Sequence, residues 1–436
     1  MLVLEYRYME HSVIKNAEAL GTTPLRKDGL AILEAGYRAI MTKEVMRNRI
    51  DIDELQITVD GRSFPFGAYE RVFFVGIGKC ALDAGQAIEE KLGAWLTDGI
   101  ILDVRGAPLR KMRSYIGTHP FPSEQNVEVA TSITKMLEGL TDRDLLITVV
   151  SGGASSLLCL PHDISCDTVT LITKTLMEGG ATIDELNKVR KHTSKIQGGQ
   201  FAKMAFPATV ISLIFSDVPG DDISMVASGP TVMDTTTMAD AQAVLEKYDI
   251  EKICKIPHCG LIETPKEEKY FERVHNILFV TNETALVAMQ KEAEKRGYTT
   301  RIENTGLQGE AREVGALLAR EATNPKTCRL FGGETTVTIH KQGKGGRCQE
   351  SVLGALPFIR KHALFVAATS DGWDNTHFAG AIGDTEVLAH AQELGLDPKT
   401  AGEENQAFDF FEKTGAHIDT GRTGANVSDW YFTITE

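Results

Sequence analysis

One segment constrains the fold of this chain more than any other, the apolar run from Ala208 to Phe215. It is rich in β-branched residues and lies between Pro207 and the turn at Pro219-Gly220. An apolar run of this length with these boundaries predicts a strand that is buried on both faces of a parallel sheet. The chain is therefore expected to contain an open α/β sheet.

Carboxylates follow this strand directly, in the sequence Ser216-Asp217-Val218-Pro219-Gly220-Asp221-Asp222. Ligands of open α/β sheets bind beyond the carboxyl ends of the strands, so Asp217 and Asp222 are candidate site residues. Neighbouring carboxylates repel each other unless a cation or a proton intervenes. We expect Mg²⁺ as that cation, with Asp222 as a ligand and Asp217 as a ligand or the general base.

Two further predicted strands end in glycine turns. The strand from Arg71 to Val75 leads into Gly76-Ile77-Gly78-Lys79, and the strand from Asp144 to Val150 leads into Ser151-Gly152-Gly153. Glycine lets the backbone approach a ligand closely, and free N–H groups at a helix N-terminus or in a Gly-Gly turn bind anions. Both turns are predicted to bind phosphate or an anionic substrate, although the first also fits a simple tight turn.

The first turn matches neither common nucleotide-binding motif. The Walker A pattern is absent from the chain. The dinucleotide fingerprint is incomplete, because Ala81 stands at its third glycine and only Asp103 stands near the place of the ribose-binding acid.

Other polar residues stand where a ligand site is expected. Asn187 and Arg190 share one predicted helix, and the planar guanidinium of Arg190 suits bidentate binding of a carboxylate. In the second half, Arg347 ends a glycine-rich segment, while Glu334 and Asp371 follow predicted strands. These two acids are second candidates for metal ligands.

The length of 436 residues predicts two or three domains. Hydrophobic order is lost between residues 233 and 270, which predicts domains 1–262 and 263–436. We expect the helices of residues 10–50 to pack on the first domain and the strand Asn276 to Val280 to open the second. Both halves alternate strands with helices, which predicts two doubly wound α/β domains that face a shared cleft.

Composition narrows the classes of partner. The formal charge of −14 argues against nucleic acids and anionic membranes as partners. No apolar run approaches the roughly 18 residues of a membrane span. Seven scattered cysteines suit a reducing compartment, so we expect a cytoplasmic protein. The sequence leaves the oligomeric state open and is compatible with a homo-oligomer.

Short motifs follow one another in a fixed order along nearly the whole chain. They are Gly76-Ile77-Gly78-Lys79, His119-Pro120, Ser151-Gly152-Gly153, Asn187-Lys188-Val189-Arg190-Lys191-His192, Gly198-Gly199, Ser216 to Asp222, Ser228-Gly229-Pro230-Thr231, Glu263-Thr264-Pro265-Lys266, Gly332-Gly333-Glu334-Thr335-Thr336, Gly343-Lys344-Gly345-Gly346-Arg347, Asp371-Gly372 and Thr423-Gly424-Ala425-Asn426-Val427. Together they resemble the signature motifs of the type II glycerate kinase family, some of whose members have been labelled hydroxypyruvate reductases. The resemblance implies a Rossmann-like N-terminal domain and a smaller C-terminal α/β domain known as MOFRL.

The resemblance also implies an activity, the ATP-dependent phosphorylation of D-glycerate to 2-phosphoglycerate. Lys79 falls at the active-site lysine of the family. Our hypothesis is that Lys79 and Arg347 converge on the transferred phosphoryl group. The residues expected to hold the anionic substrate are Ser151, Gly152, Gly153, Asn187 and Arg190, with Gly76 and Gly78 in the phosphate turn.

One loop departs from the family pattern. Asn375 stands where glycine is expected after Asp374, and Trp373 is bulkier than usual. This departure is expected to change the local loop geometry or the fit of the substrate.

Three alternatives to a glycerate kinase stay open: a kinase of another substrate, a reductase and a sensor. A kinase of a related sugar acid would need the same site. An NAD(P)-dependent hydroxypyruvate reductase would need a complete dinucleotide fingerprint. A sensor without catalytic activity could dispense with Lys79, Arg347 and the acid cluster, so their joint presence favours an enzyme.

Overall fold

The computed structural model describes residues 12–218 and 220–436, which divide into two compact units. The central unit is Thr42–Val280, and the terminal unit combines the described residues up to Met41 with Thr281–Glu436. No helix within the described ranges is long and apolar enough to cross a membrane.

The first two helices belong to the terminal unit and the elements up to Val280 belong to the central unit. The helices are α1 (Ala17–Leu20), α2 (Pro24–Ile40), α3 (Thr42–Arg49), α4 (Ala81–Leu92), α5 (Glu124–Leu137), α6 (Ala154–Leu157), α7 (Cys166–Glu178), α8 (Ile183–His192), α9 (Gln200–Ala205), α10 (Met238–Lys247) and α11 (Ile250–Cys254). The strands are β1 (Ile50–Ile52), β2 (Gln56–Val59), β3 (Arg62–Pro65), β4 (Arg71–Ile77), β5 (Leu96–Asp103), β6 (Met112–Ile116), β7 (Asp144–Val150), β8 (Thr209–Phe215) and β9 (Val274–Val280).

A six-stranded sheet organises the central unit. Its strands run in the order β6-β5-β4-β7-β8-β9, and every neighbouring pair is parallel. This is the strand order of the Rossmann fold, in which the order reverses between the first and fourth strands, here β4 and β7. Each residue of β7 and β8 is buried, as the continuous apolar runs predict for strands covered on both faces.

The remaining elements form the terminal unit. Its helices after Val280 are α12 (Asn282–Lys295), α13 (Ala311–Glu321), α14 (Arg347–Ala355), α15 (Thr385–Glu393), α16 (Pro398–Glu403) and α17 (Ala407–Thr414). Its strands are β10 (Thr299–Leu307), β11 (Thr327–Gly333), β12 (Ala363–Thr369), β13 (Gly380–Gly383), β14 (His417–Ile418) and β15 (Asp429–Thr435).

The sheet of the terminal unit is mixed, in the order β10-β11-β15-β12-β13-β14. β10 and β11 are parallel, whereas β15 lies between β11 and β12 and is antiparallel to both. The predicted α/β fold is confirmed, but this second sheet is not the all-parallel sheet of a doubly wound domain. The chain's last strand returns into the middle of the sheet, and β13 is antiparallel to both β12 and β14.

The division into units differs from the predicted boundary in two places. β9 pairs with β8 along its length, so the strand expected to open the second domain closes the central sheet instead. The helix α2, expected on the first domain, packs in the terminal unit, where the Tyr37 hydroxyl donates to Thr369 O at 2.8 Å. A β-carbon on Gly36 of α2 would lie 2.9 Å from Met289 of α12, so these two helices pack closely.

A buried ionic cluster joins α8 to the segment that follows β8. Asp234 is 1% exposed, and its carboxylate contacts Lys191 Nζ at 3.1 Å and His192 Nε2 at 3.3 Å. It also accepts hydrogen bonds from Thr236 at 2.8 Å and Thr264 at 3.1 Å. Burial by itself would raise the pKa of Asp234, but the neighbouring donors and cations hold it well below its usual value.

We predict that Asp234→Asn lowers the free energy of unfolding by about 3–5 kcal/mol, because it leaves the buried ammonium of Lys191 without a counter-ion. Urea unfolding at pH 7 measures this. The double variant Asp234→Asn with Lys191→Met should recover much of the loss, since it removes both charges. An Asp234→Asn protein as stable as the parent would contradict the prediction. A low pKa in the folded state also means that the stabilisation is present above about pH 4 and is lost in more acidic solution.

Candidate functional site

The two predicted glycine turns lie side by side. They follow β4 and β7, which are parallel neighbours at the point where the strand order reverses. Ser151 N donates to Ile77 O at 3.0 Å, and Lys79 N donates to Gly152 O at 3.0 Å. Ligands of such sheets bind at this reversal, beyond the carboxyl ends of the strands.

Gly78 makes the close approach of the turns possible. Its φ is +118°, and a β-carbon there would lie 2.1 Å from Ser151 Oγ and 2.7 Å from Ser151 O. The Ser151 hydroxyl donates to Ile77 O at 3.3 Å and accepts from Cys80 N at 3.4 Å. The structure thus engages this hydroxyl between the turns, which does not favour its predicted contact with substrate.

Gly76 and Asp103 serve the packing of α4. A β-carbon on Gly76 would lie 3.2 Å from that of Ala81, so glycine is needed for the helix to approach β4. Asp103 is fully buried, and its carboxylate accepts from Leu82 N in the first turn of α4 at 2.9 Å and from Arg105 N at 3.1 Å. Asp103, the acid nearest the place of a ribose-binding residue, therefore already accepts hydrogen bonds from the backbone.

Lys79, His119 and Gly153 come together beyond these turns. Gly153 has a φ of +85° and precedes α6. A β-carbon on it would lie 3.1 Å from His119 Cδ2 and 3.4 Å from Lys79 Cε. Burial and the charge of Lys79 lower the pKa of His119 to about 4, so its imidazole is neutral at physiological pH.

A cavity of about 340 Å³ opens from Gly153 and His119 into the central unit. One part of its lining is polar and includes Ser155, Thr193, Ser194, Gln197 and Arg190. The other part is largely apolar and includes Phe121, Leu160, Val169 and Met177. The predicted residues Gly153 and Arg190 thus line one cavity.

Arg190 is the distinctive charge of this cavity. It lies in the last turn of α8, and among the described residues the structure records no carboxylate within ion-pair distance of its guanidinium. Burial lowers the pKa of Arg190. The adjacent Lys191, by contrast, is paired with Asp234. A half-buried cation without a counter-ion at a cavity wall is suited to an anionic ligand.

Asn187 lies outside this cavity. It is 3% exposed, and its Oδ1 accepts a hydrogen bond from the Ser228 hydroxyl at 2.7 Å. Its Nδ2 lies 3.6 Å from Met225 Sδ. The side chain therefore anchors the segment that follows β8, and its role toward a substrate stays a prediction.

The acids after β8 are spread along their loop. Asp217 is half-buried directly after the strand, whereas Asp222 is exposed and accepts from Ser224 N at 2.9 Å. In the part of the chain that the structure describes, no group of three or more His, Cys, Asp or Glu is placed to hold a metal ion. The predicted metal role of Asp222 stays a prediction.

In the terminal unit, Arg347 is held by two carboxylates. It is the first residue of α14, and its Nε and Nη2 donate to Asp429, the latter at 3.2 Å. Its Nη1 lies 2.6 Å from Glu334 Oε1. Glu334 is therefore the partner of a cation in this structure. The predicted convergence of Lys79 and Arg347 stays a prediction, since they belong to different units.

The loop after β12 supports the start of α14. The buried carboxylate of Asp374 accepts from Cys348 N at 3.1 Å and from Gln349 N at 2.8 Å, and burial raises its pKa to about 7. Asn375 has a φ of +55°, so it adopts the left-handed conformation that glycine favours. Its amide donates to Gly345 O at 3.0 Å. The departure at this position thus keeps the backbone turn and adds a bond to the glycine-rich segment.

Asp371, the other metal candidate of this loop, accepts from Trp373 N at 2.9 Å. Trp373 itself is exposed, and the Arg422 guanidinium lies 4.4 Å from its ring centroid. The carboxylate of Asp371 therefore stabilises its own turn, and its metal role stays a prediction.

Sequence reasoning missed Asp429 and Asp374 as partners of the Arg347 segment. Asp374 carried a signal, because it follows a predicted strand. Asp429 carried none, since it opens the last strand and reaches Arg347 only because β15 inserts between β11 and β12.

Comparison with known proteins places the chain in a family. The model described as a domain of unknown function, DUF4147, matches residues 28–257, and the model of the MOFRL family matches residues 327–429. A glycerate 2-kinase of Pyrococcus horikoshii is 34% identical over 430 residues, which cover 93% of this chain and 96% of that protein. The chain belongs to the glycerate kinase family.

A solved structure and a further relative extend this comparison. The crystal structure of a glycerate kinase of Thermotoga maritima matches with a TM-score of 0.85 and 30% identity, over 94% of this chain and 99% of that one. A protein of Agrobacterium vitis with a provisional hydroxypyruvate reductase name is 34% identical, over 82% of this chain and 86% of its own. The resemblance to the glycerate kinase family seen in the motifs is confirmed.

We predict that Arg190→Met stabilises this glycerate kinase family member in the absence of ligand. Removing a half-buried charge that has no counter-ion should raise the free energy of unfolding by about 0.5–2 kcal/mol. Urea unfolding without added anions measures this.

The matched control is Arg26→Met, because the Arg26 guanidinium is buried but pairs with Asp384 at 2.6 and 2.8 Å. That change should lower the free energy of unfolding by about 3–5 kcal/mol, since it leaves a buried carboxylate unpaired. If Arg190→Met destabilises the protein as Arg26→Met does, Arg190 has a structural role and the prediction is wrong.

Proposed function

We propose that this protein is a glycerate 2-kinase that transfers the γ-phosphoryl group of ATP to D-glycerate and forms 2-phosphoglycerate. The observation that carries the proposal is the likeness to a glycerate 2-kinase over nearly the full length of both chains. The cavity supports it through Arg190, which has no carboxylate partner among residues 12–218 and 220–436, because glycerate is a small carboxylate.

Arg190 is proposed to bind the carboxylate of glycerate. A guanidinium binds a carboxylate through two parallel N–H···O bonds, which fixes the orientation of the substrate as well as its position. Hydroxyl groups of Ser155 and Ser194 line the same cavity and can bind the substrate hydroxyls. Orientation matters here because phosphoryl transfer requires the acceptor oxygen in line with the leaving group.

Lys79 is proposed to act on the transferred phosphoryl group. Phosphoryl transfer depends mainly on neutralising charge on the phosphate oxygens and on positioning. The Lys79 side chain lies beside Gly153, which lines the cavity and belongs to the second glycine turn. The backbone N–H groups of residues 78–82 all donate to oxygen atoms of the protein, so the charge of Lys79 is the feature of this turn proposed to bind the anion.

Arg347 is proposed as a second phosphate-binding cation, in the terminal unit. Its guanidinium is about one-third exposed, so it can reach a ligand while Asp429 holds it.

Mg²⁺ is the proposed metal, bound mainly by the nucleotide phosphates. This ion keeps several waters and takes one or two carboxylates together with substrate phosphates, so it needs no site of three protein ligands. Asp222, which follows β8, is the proposed protein ligand, and Asp217 is proposed as a further ligand or as the general base. The ion would neutralise charge on the phosphates during transfer.

We also propose that the protein works in the cytoplasm. All seven cysteines are free thiols, and six of them are buried, which suits a reducing compartment. A homo-oligomer is compatible with the sequence and stays a proposal.

The alternative function is an NAD(P)-dependent hydroxypyruvate reductase. The provisional name of the Agrobacterium vitis relative favours it. The burial of Asp103 and its hydrogen bonds to the start of α4 argue against it, because that acid is the candidate ribose ligand. A kinase of a related sugar acid would use the same residues.

The deciding experiment is a coupled assay of ADP release with MgATP and a panel of small hydroxy acids, with NADH oxidation by hydroxypyruvate measured in parallel. We expect ADP release that depends on D-glycerate and Mg²⁺, with 2-phosphoglycerate as product. NADH oxidation without ADP release would replace the kinase with the reductase. ADP release with another acid only would change the substrate.

We predict that Lys79→Ala lowers kcat by about 10²–10³-fold with a small change in the KM for glycerate, because the lost charge acts on the transition state. The matched control is Lys203→Ala, which removes an exposed lysine of the same unit that lines no part of the cavity. A kcat equal to that of the parent, in a folded Lys79→Ala protein, would remove Lys79 from the mechanism.

A further inference from the structure

Arg347 has two carboxylate partners of very different character. The side-chain exposure of Asp429 is 2%, whereas that of Glu334 is 45%. Both belong to the terminal unit and contact the same guanidinium, but they occupy different edges of it. This difference assigns them different roles.

Asp429 holds the side edge of the guanidinium. It accepts from both Nε and Nη2 of Arg347, which is the bidentate arrangement of a strong ion pair. The Tyr431 hydroxyl donates to the same carboxylate at 3.2 Å, and it lies 3.0 Å from Thr335 Oγ1. Asp429 stands at the start of β15, paired with Gly333 and Thr369, so its backbone is fixed by two neighbouring strands.

Glu334 touches the end edge, formed by Nη1 and Nη2. Its contact is a single one, from Oε1 to Nη1 at 2.6 Å, and it lies at the surface. A guanidinium has five N–H donors; Asp429 takes two of them, and the end edge presents one donor from Nη1, which faces Glu334, and one from Nη2. A phosphate oxygen pair fits that edge in a bidentate manner, provided that Glu334 gives up its place.

We propose that Asp429 is the residue that positions Arg347 for phosphate binding, and that Glu334 is an exchangeable counter-ion that occupies the phosphate place until a phosphoryl group arrives. The proposal rests on the proposed function in that Arg347 binds the transferred phosphoryl group. In this proposal Glu334 does not bind a metal, as predicted, but competes with phosphate for the Arg347 guanidinium. Exposed ion pairs are weak and exchange readily, whereas a buried bidentate pair does not.

The first test compares Asp429→Asn with Asp384→Asn in the ADP-release assay. Asp384 is a matched control, because it forms a buried bidentate pair with Arg26 in the same unit. The two acids lie near opposite ends of β12. Asp384 follows Gly383, which pairs with Phe365 near the start of that strand, whereas Asp429 pairs with Thr369 at its end.

Both changes should lower the melting temperature. Only Asp429→Asn should lower kcat about tenfold or more while the KM for glycerate stays nearly constant, because it loosens a group that acts on the transition state. Equal kcat values for the two variants would overturn the proposal. If Asp429→Asn does not fold, Tyr431→Phe decides instead, since it keeps the carboxylate but removes one of its hydrogen bonds. A lowered kcat supports the proposal and an unchanged kcat overturns it.

The second test measures binding of inorganic phosphate by calorimetry, which needs no turnover. Glu334→Gln should bind phosphate about two- to fivefold more tightly than the parent, because a competing carboxylate is lost. Glu321→Gln is the matched control, since Glu321 is 47% exposed and lies 2.9 Å from Arg329 Nη2 of β11. The phosphate affinity of Glu321→Gln should equal that of the parent. Adding Arg347→Ala to Glu334→Gln should abolish the gain in phosphate affinity.

The two tests separate two failures. Unchanged or weaker phosphate binding by Glu334→Gln overturns the counter-ion role, whatever the substrate of the enzyme. A parent protein that releases no ADP with any acid overturns the proposed function, and the phosphate measurement then still tests the role of Glu334.

Discussion

The contact between the turns after β4 and β7 is the constraint on which the candidate site depends. Ser151 N and Lys79 N each donate to the opposite turn, and the approach is so close that only glycine fits at position 78. The bonds leave Lys79 and Gly153 at the reversal of strand order, where a parallel sheet opens to ligands. The two turns are thus held together by backbone bonds between neighbouring strands.

The distribution of charge around this point is uneven in an informative way. Lys191, Arg26 and Arg347 all have a buried or partly buried carboxylate partner. Arg190 has none recorded among the described residues, although it lies one residue from Lys191. Folding stability favours pairing or removing a buried charge, so an unpaired one indicates a ligand that supplies the missing anion. The same reasoning distinguishes the two partners of Arg347. Asp429 is a buried partner that stabilises the fold, whereas Glu334 is an exposed one that does not.

The parts of this structure that sequence could predict are local. The strand β8, the glycine turns and the helix with Arg190 each follow from residue patterns within about ten positions, and the parallel sheet follows from their alternation. Pairings between distant segments were not predictable. α2 packs with elements more than 200 residues away, and β15 inserts between β11 and β12, so neither the unit boundary nor the role of Asp429 has a local signature. Sequence also does not show that the Ser151 hydroxyl and the Asn187 amide bond within the protein, and their predicted contacts with a substrate stay predictions.

Strand order alone does not distinguish a kinase from a dehydrogenase here. The central sheet has the order that binds dinucleotides in Rossmann folds, and the turn after β4 even begins with the same two glycines. The difference lies at the start of α4. Asp103 occupies a backbone N–H of its first turn, so part of the positive end of that helix already faces a protein carboxylate. A dinucleotide would have to compete with this buried acid for the helix end, and the same acid is the candidate ligand of its ribose. The adjacent cavity is lined by the neutral His119 and by Arg190, for which the described residues supply no counter-ion, and Lys79 lies beside its residue Gly153. These charges suit a small carboxylate next to a phosphate.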